Sequence, residues 1–164
     1  MKIVHAIESW QGTPKPRLFM AGSIEMGAAE HWQERLSIDL AYHTGTILNP
    51  RRDDWDASWV QSIDNRQFRE QVEWELAGLE VADVIALYLS PGTKSPISLL
   101  ELGLFRNAPG LCVFCPSGFW RKGNVDIVCR RYSIAQAEKW DSWVGAISIA
   151  LNDHRDRRPS SSGR

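Results

Sequence analysis

Short apolar runs alternate with longer amphipathic segments along most of this 164-residue chain. The runs are short and bounded by turn residues, as buried strands are. They predict five strands, at residues 17–22, 44–48, 83–89, 111–115 and 125–128. The segments between them have apolar residues at helical spacing and predict four helices, at residues 28–43, at 67–82, from Pro96 onward, and at 134–151. This alternation is typical of a parallel sheet with helices on both faces.

The five strands predict an α/β, flavodoxin-like (Rossmann-like) fold with strand order 2-1-3-4-5. In that order the first and third strands are neighbours and their helices leave on opposite faces, so a crevice opens at their carboxyl ends. Those ends are Gly22 with Ser23 and residues 90–92. We therefore expect the turn at 21–27, the loop at 90–95 and the following helix to line one pocket.

Composition and charge restrict what this domain can bind. The net charge is −1, with acidic and basic residues interspersed, and 43% of the residues are hydrophobic. This mixture predicts a single domain with its own core and gives no basic surface for nucleic acid or for a membrane. No apolar stretch reaches the length of a membrane span, so we expect a cytoplasmic protein. The predicted organisation is an N-terminal extension at 1–16, the domain at 17–152 and a disordered tail at 153–164.

The cysteines and histidines give no reason to expect a metal or another cofactor. Cys112 and Cys115 have the spacing of a metal or redox motif, but no second pair and no histidine lies near them in the sequence. Together with Cys129 they are interpreted as buried thiols of a reducing compartment. The four histidines are scattered along the chain.

Glu101 is the most unusual residue in the pattern. Ser95 as N-cap and Pro96 at the first position predict a helix start. On this helix the apolar residues Ile97, Leu100, Leu104 and Phe105 form a stripe, and Glu101 falls inside it. An unpaired carboxylate on a buried face costs several kcal/mol or has a raised pKa. Glu101 must therefore have a partner, a cleft or a catalytic role, and the partner would be Arg51, Arg52 or Lys94.

A carboxylate in such a pocket can act as a nucleophile toward a sugar carbon. Glycosyl transfer with retention also needs a second acid or base. Glu75 can supply it, because it lies beside Phe68 at the edge of the apolar stripe of the helix at 67–82. We expect the dipole of the helix that begins at Pro96 to favour the anionic form of Glu101. The alternative for Glu75 is an ion pair at the edge of the helix.

Two loops contain further polar groups at the predicted crevice. Residues 49–56 form a strongly polar loop in which Asn49, Arg51 and Asp54 can hydrogen-bond a ligand. The alternative is that the arginines pair with the neighbouring aspartates and the loop faces water. The loop at 90–95 contains Gly92 and two serines, which a turn and a helix cap also explain. The chain contains no phosphate-binding glycine motif.

Four segments of the chain resemble the nucleoside 2-deoxyribosyltransferase-like family. They are AGSIEMG, LNPRRDDWD, the run from FREQVEWELAGLEVADVIALYLS to PGTKSPISLLELGL, and GFWRKGNVDIVCRRY, all within residues 17–133. The resemblance implies a flavodoxin-like fold and cleavage of the N-glycosidic bond of 2′-deoxynucleosides. The implied ligands are a small-molecule nucleoside or nucleotide and a nucleobase, and the implied assembly is a homo-oligomer.

The resemblance also implies roles for individual residues. Glu101, in LELG, matches the nucleophilic glutamate that forms a covalent deoxyribosyl intermediate, which a second nucleobase or water resolves. Glu75 matches a position where well-studied members have an aspartate that contacts the nucleoside. The predicted crevice at the carboxyl ends of the strands and the resemblance together give nine candidate substrate-binding residues: Gly22, Ser23, Glu25, Asn49, Arg51, Asp54, Gly92, Ser95 and Ser98.

Three departures from the family pattern leave the reaction open. Glu75 is one methylene longer than aspartate. Ser95 stands where transferases have an aspartate and where nucleotide hydrolases have a phosphate-binding serine. Glu25 stands where those hydrolases have an arginine, and its carboxylate would repel a phosphate. The leading hypothesis is a deoxyribosyltransferase. The alternatives are a hydrolase of (deoxy)nucleosides or deoxynucleoside 5′-monophosphates, and a non-catalytic nucleotide-binding or sensing domain.

Overall fold

The computed structural model describes residues 1–24, 31–52 and 58–156. Their regular structure is an α/β arrangement of six strands and five helices. The strands are β1 (Lys2–His5), β2 (Arg17–Gly22), β3 (Thr46–Asn49), β4 (Val84–Tyr88), β5 (Leu111–Phe114) and β6 (Ala135–Ala137). The helices are α1 (Trp32–Asp39), α2 (Arg66–Val81), α3 (Pro96–Leu104), α4 (Lys122–Tyr132) and α5 (Trp140–Asp156).

All strand pairs in the sheet are parallel, and the strand order is β1-β3-β2-β4-β5-β6. From β3 to β6 this order is the predicted 2-1-3-4-5, so the flavodoxin-like fold is confirmed. The predicted count of five strands is wrong by one, because β1 is added outside β3. β2 and β4 are neighbours in the centre of the sheet, which brings their carboxyl ends together.

Each face of the sheet has its own core. On one face, α1 and α5 bury large side chains such as Trp32 and Trp143 against the sheet. On the other face, α2, α3 and α4 contribute Leu79, Leu102 and Val125. The helices that follow β2 and β4 therefore lie on opposite faces, as a crevice between these two strands requires.

β1 lies inside the segment that was predicted as an N-terminal extension. Lys2 pairs with Thr46 and His5 with Asn49, so β1 forms an edge of the sheet. Only Val4 of this strand is buried. An edge strand with one buried residue has little of the apolar pattern that identifies a strand, which is why the sequence did not predict it.

The last third of the predicted secondary structure needs three corrections. Residues 125–128 are not a strand but part of α4, where Val125 and Cys129 are buried one helical turn apart. The fifth predicted strand is instead β6, three residues whose sequence AQA has no strand signal and which fell inside the predicted helix at 134–151. α5 continues to Asp156, so residues 153–156 of the predicted disordered tail are helical, and residues 157–164 lie outside the described residues.

Two further observations concern the predicted character of the chain. The thiols of Cys112, Cys115 and Cys129 are all buried and free, in agreement with their interpretation as buried thiols. No helix in the described ranges combines the length and the apolar character needed to cross a membrane.

Candidate functional site

The carboxyl ends of β2 and β4 are joined by hydrogen bonds around Ser23. The Ser23 amide donates to the carbonyl of Tyr88 at 2.9 Å, and the Ser90 amide donates to the Ser23 hydroxyl at 2.9 Å. Gly22 allows this close approach, because a Cβ atom there would lie 2.3 Å from the Tyr88 carbonyl oxygen. The structure therefore brings together the two strand ends that the predicted topology places at the crevice.

Three buried hydroxyl groups, those of Ser23, Thr93 and Ser95, form a cluster at this position. Thr93 donates to the carbonyl of Ser90 at 2.8 Å, so it accepts in its contacts with Ser23 at 3.0 Å and Ser95 at 2.8 Å. The hydroxyls of Ser23 and Ser95 are also within hydrogen-bond distance of each other. The Ser95 hydroxyl thus contacts two hydroxyl groups inside the protein.

Ser95 occupies the N-cap position of α3, as predicted, but its side chain does not cap the helix. Its backbone is left-handed, with φ of 45°, a conformation that is unfavourable for a residue other than glycine. This conformation directs the hydroxyl to Ser23 and Thr93 instead of to the first turn of α3. The strained backbone and the hydroxyl cluster are coupled, because the cluster needs the Ser95 side chain in this position.

The apolar stripe of α3 faces outward, whereas the sequence predicts that it is buried. Ile97, Leu100 and Leu104 are 61%, 57% and 55% exposed. The buried residues of the helix are Ser98, Glu101 and Leu102. Glu101 is therefore buried, as the sequence suggested, but it is buried on a face of mixed polarity with Ser98 and not within the apolar stripe.

Glu75 lies on α2 and is fixed by Gln71, one helical turn before it. The Gln71 amide donates to Glu75 Oε1 at 2.7 Å and to the carbonyl of Pro50 at 3.0 Å. This contact links α2 to the segment that follows β3. The sequence analysis missed Gln71, although its position four residues before a candidate catalytic residue was a usable signal.

Burial is the largest cause of the pKa shifts of both carboxyl groups. The pKa of Glu101 is raised to about 8 by two causes. Burial is the larger one, and the nearby charge of Glu75 is the smaller. Burial also raises the pKa of Glu75, while the hydrogen bond from Gln71 opposes this increase. Interacting carboxyl groups titrate as a pair, and a pKa of about 8 means that Glu101 holds a proton near neutral pH.

Two expectations about Glu101 are wrong. The helix dipole was expected to favour the anion of Glu101, but this residue is the sixth of α3 and lies beyond the first turn, in which the dipole acts. Burial raises the pKa of Glu101 instead. The expected partners Arg51, Arg52 and Lys94 do not pair with it: within the described ranges, neither Glu101 nor Glu75 takes part in an ion pair.

The remaining candidate residues are distributed over the carboxyl edge of the sheet. Gly92 lies in the loop before α3 and has open space on the side where a Cβ would be. Asn49 and Arg51 lie on the α1 side of β3, in a groove that Gln33 also lines. Glu25 and Asp54 lie outside the described residues.

A comparison with protein-family models gives a match over residues 15–119, more than half of the chain, to the model described as nucleoside 2-deoxyribosyltransferase like. The chain belongs to the nucleoside 2-deoxyribosyltransferase-like family. No curated protein sequence matched the chain.

Membership in the nucleoside 2-deoxyribosyltransferase-like family places the chain in an enzyme family whose ligands are nucleosides and nucleobases. The matched region contains β2, the hydroxyl cluster, Glu75 and Glu101. It ends before α4, so the helices α4 and α5 and the strand β6 complete the sheet and its cores outside the matched region.

Proposed function

We propose that the protein transfers 2-deoxyribose between nucleobases, with Glu101 as the nucleophile and Glu75 as the acid and base. The observation that carries this proposal is the pair of electrostatically coupled carboxyl groups at the carboxyl edge of the sheet. Keeping two carboxyl groups close together in a partly desolvated position is unfavourable for folding. Such an arrangement is typical of acid–base and nucleophilic sites.

The proton content of the pair fits the first step of this reaction. Departure of the base requires one proton on a base nitrogen, and attack requires one free carboxylate. The proton of Glu101 passes to Glu75 and from there to the leaving base. The bond between C1′ and the base nitrogen breaks as the bond between C1′ and a Glu101 oxygen forms.

The second step reverses these roles. A nitrogen of the incoming base attacks C1′, the bond to Glu101 breaks, and the Glu75 carboxylate takes the proton of the incoming base. Two displacements at the same carbon give overall retention of configuration. Gln71 supports both steps because its hydrogen bond fixes the orientation of Glu75.

The sugar binds beside Glu101, in the crevice formed by the ends of β2 and β4. Ser98 lies one turn before Glu101 and, like it, is on the buried face of α3. Gly22, Ser23, Gly92 and Ser95 form the adjoining backbone and hydroxyl groups. Glu25, which lies outside the described residues, is proposed as a further substrate contact on the basis of the resemblance, and so is Asp54.

The hydroxyl cluster favours a nucleoside over a 5′-monophosphate as the substrate. Binding a phosphate requires Ser95 to donate its proton outward. In the cluster the Ser95 hydroxyl instead contacts the hydroxyls of Thr93 and Ser23, within the protein. This contact supports a transferase of nucleosides over a hydrolase of monophosphates.

The exposed apolar face of α3 supports a homo-oligomer. Ile97, Leu100 and Leu104 form a continuous stripe on the helix that carries Glu101. Trp120 is also exposed and donates a hydrogen bond from its indole nitrogen to the carbonyl of Lys94 at 3.0 Å, which puts it near the start of α3. A second copy of the chain that covers this face would bury the stripe and exclude water from the neighbouring site.

Product analysis tests the proposed reaction. The wild type, Glu101→Gln and the exposed control Glu80→Gln are incubated with 2′-deoxynucleosides, with and without a free nucleobase. The proposal predicts a new nucleoside that forms only when the base is present, that Glu80→Gln still forms and that Glu101→Gln does not. Mass spectrometry of the wild type without an acceptor should find one deoxyribosyl group on the peptide that contains Glu101.

Two other results would replace the transferase with one of the alternatives. Release of free base and sugar without any acceptor identifies a hydrolase, and the same assay with 5′-monophosphates defines its substrate. Absence of any product, together with nucleotide binding that Glu101→Gln leaves unchanged, identifies a binding domain.

A further inference from the structure

An open groove runs along the α1 face of the sheet at its β1 edge. It has a volume of about 1040 Å³, large enough for a ligand of nucleotide size. Ile3 and His5 of β1 are in register with Ile47 and Asn49 of β3, and Ile47 belongs to the core on the α1 side. The opposite wall is α1. No residue of α2, α3 or β4 lines the groove, so Glu75 and Glu101 are not part of it.

Gln33 of α1 is the most informative residue of the groove. It is only 1% exposed, yet among the described residues neither Nε2 nor Oε1 of its amide has a hydrogen-bond partner. A buried polar group without a partner costs about 1–3 kcal/mol. An amide with both atoms unpaired therefore lowers the stability of the free protein. A ligand that offers an acceptor beside a donor would remove this penalty.

Arg51 adds a positive charge with a free donor to the same groove. Its Nη2 donates to Nε2 of His31 at 3.3 Å, and its backbone amide donates to the side chain of Asn49 at 3.0 Å. Its Nη1 is buried and has no hydrogen-bond partner within the part of the chain that the structure describes. The contacts of Nη2 and of the backbone amide thus hold the guanidinium in place, and Nη1 can donate to an anionic group.

The three unpaired atoms define the chemistry of a ligand that would fit the groove. The Gln33 amide matches a planar heterocycle with a donor and an acceptor on adjacent atoms, which is the edge that nucleobases present. Arg51 matches an anion such as a phosphate. The exposed isoleucines Ile3, Ile7 and Ile38 supply apolar surface beside these groups.

We propose that this groove is a second site, separate from the crevice at Glu101, that binds a nucleoside 5′-monophosphate through Gln33 and Arg51. The Gln33 amide forms hydrogen bonds with the edge of the base, and Arg51 binds the phosphate. The site assigns Asn49 and Arg51, which were candidates for substrate binding, to a different ligand. It does not depend on the reaction proposed for Glu101.

Calorimetric titration with adenosine, guanosine, cytidine and uridine 5′-monophosphates tests the site. It is performed on the Glu101→Gln variant to prevent turnover, with free adenosine and inorganic phosphate as partial ligands. We expect at least one monophosphate to bind more tightly than either partial ligand. We also expect Gln33→Met and Arg51→Met to weaken that binding about tenfold or more. The matched control Gln67→Met, on the exposed side of α2, leaves it unchanged.

The stability of the free protein gives an independent test. Methionine has nearly the shape of glutamine but no unpaired polar atoms, so Gln33→Met should leave the melting temperature unchanged or raise it. A lower melting temperature would mean that the amide has a structural partner, and it would overturn the proposal. Failure of all four monophosphates to bind would also overturn it.

Product formation distinguishes this site from the crevice at Glu101. With Glu101 intact, Gln33→Met should keep any product formation from deoxynucleosides while it loses monophosphate binding. Loss of both would mean that the groove belongs to the substrate site, which would overturn the assignment of a separate site. A change in oligomeric state without a change in monophosphate binding would show that the groove receives a second copy of the chain instead. If the wild type forms no product, monophosphate binding that Gln33→Met abolishes still supports the groove.

Discussion

The raised pKa of Glu101 predicts how the stability of the folded protein depends on pH. The folded carboxyl group keeps its proton to a higher pH than the unfolded one, because burial and the charge of Glu75 disfavour its anion. Its contribution to stability is therefore fully present below the pKa of the unfolded chain and is lost as the pH rises through the pKa of the folded protein. Glu101→Gln removes this dependence.

The size of the effect follows from the two pKa values. A pKa of about 8 in the folded protein against an ordinary value of 4.5 corresponds to a loss of at most about 5 kcal/mol. About 3 kcal/mol of this is lost by pH 7, because the unfolded carboxyl group has ionised while the folded one still holds its proton. A loss of this size is a large part of the stability of an ordinary domain.

Urea unfolding between pH 4.5 and pH 9 measures this loss, with tryptophan fluorescence as the signal and a constant protein concentration. The free energy of unfolding of the wild type, relative to that of Glu101→Gln, should fall across this range. The wild type relative to Glu80→Gln should show no such trend, because Glu80 is exposed. A flat difference between the wild type and Glu101→Gln would refute the reasoning, since it would mean that Glu101 titrates equally in the folded and unfolded chains.

Four further predictions concern Glu75, the surface of α3 and the glycines of α2 and α3. Gln71→Leu removes the hydrogen bond that favours the Glu75 anion, so the acidic limb of the pH–rate profile should move to higher pH; an unmoved limb would contradict this role. Leu100→Lys should shift the proposed homo-oligomer toward monomer in sedimentation velocity, while circular dichroism stays unchanged because the side chain is exposed; a variant that sediments like the wild type would count against an interface at α3. Gly78→Ala should destabilise the protein by about 1–3 kcal/mol in urea, since its Cβ would lie 2.8 Å from the buried ring of Phe19. In contrast, Gly103→Ala, with open space around it, should stabilise by up to about 1 kcal/mol.

The sequence predicted the centre of the sheet well because central parallel strands are buried on both faces. β2 matches the predicted strand at 17–22 in both bounds, and β4 lies within the predicted run at 83–89. Every residue of β4 is buried, so its apolar character is continuous. The handedness of parallel crossovers then restricts the strand order to few possibilities. The predicted order therefore holds for β3, β2, β4 and β5, and β6 takes the place of the predicted fifth strand.

The edges of the sheet could not be predicted because their stability comes from tertiary contacts. β1 and β6 have few buried residues, and each is defined by its pairing with a neighbouring strand. Residues 125–128 were assigned to a strand because they form a short run rich in valine and isoleucine. A run of this length fits either structure, and the burial of Val125 and Cys129 one turn apart is visible only in the fold.

The case of α3 shows why a pattern can identify the right residue for the wrong reason. A charged residue within an apolar stripe suggested that Glu101 was buried, because such stripes usually face the core. The structure buries Glu101 with Ser98 and exposes Ile97, Leu100 and Leu104. A helix at a protein surface usually buries its apolar residues and exposes its charged ones. The outward apolar stripe and the inward carboxyl group of α3 are both the opposite of this. The inner face still anchors the helix, because Leu102 is buried there and Leu99 and Phe105 pack against the core. The exposed stripe therefore supports the proposed interface with a second copy of the chain, and the buried carboxyl group supports the proposed polar substrate at Glu101.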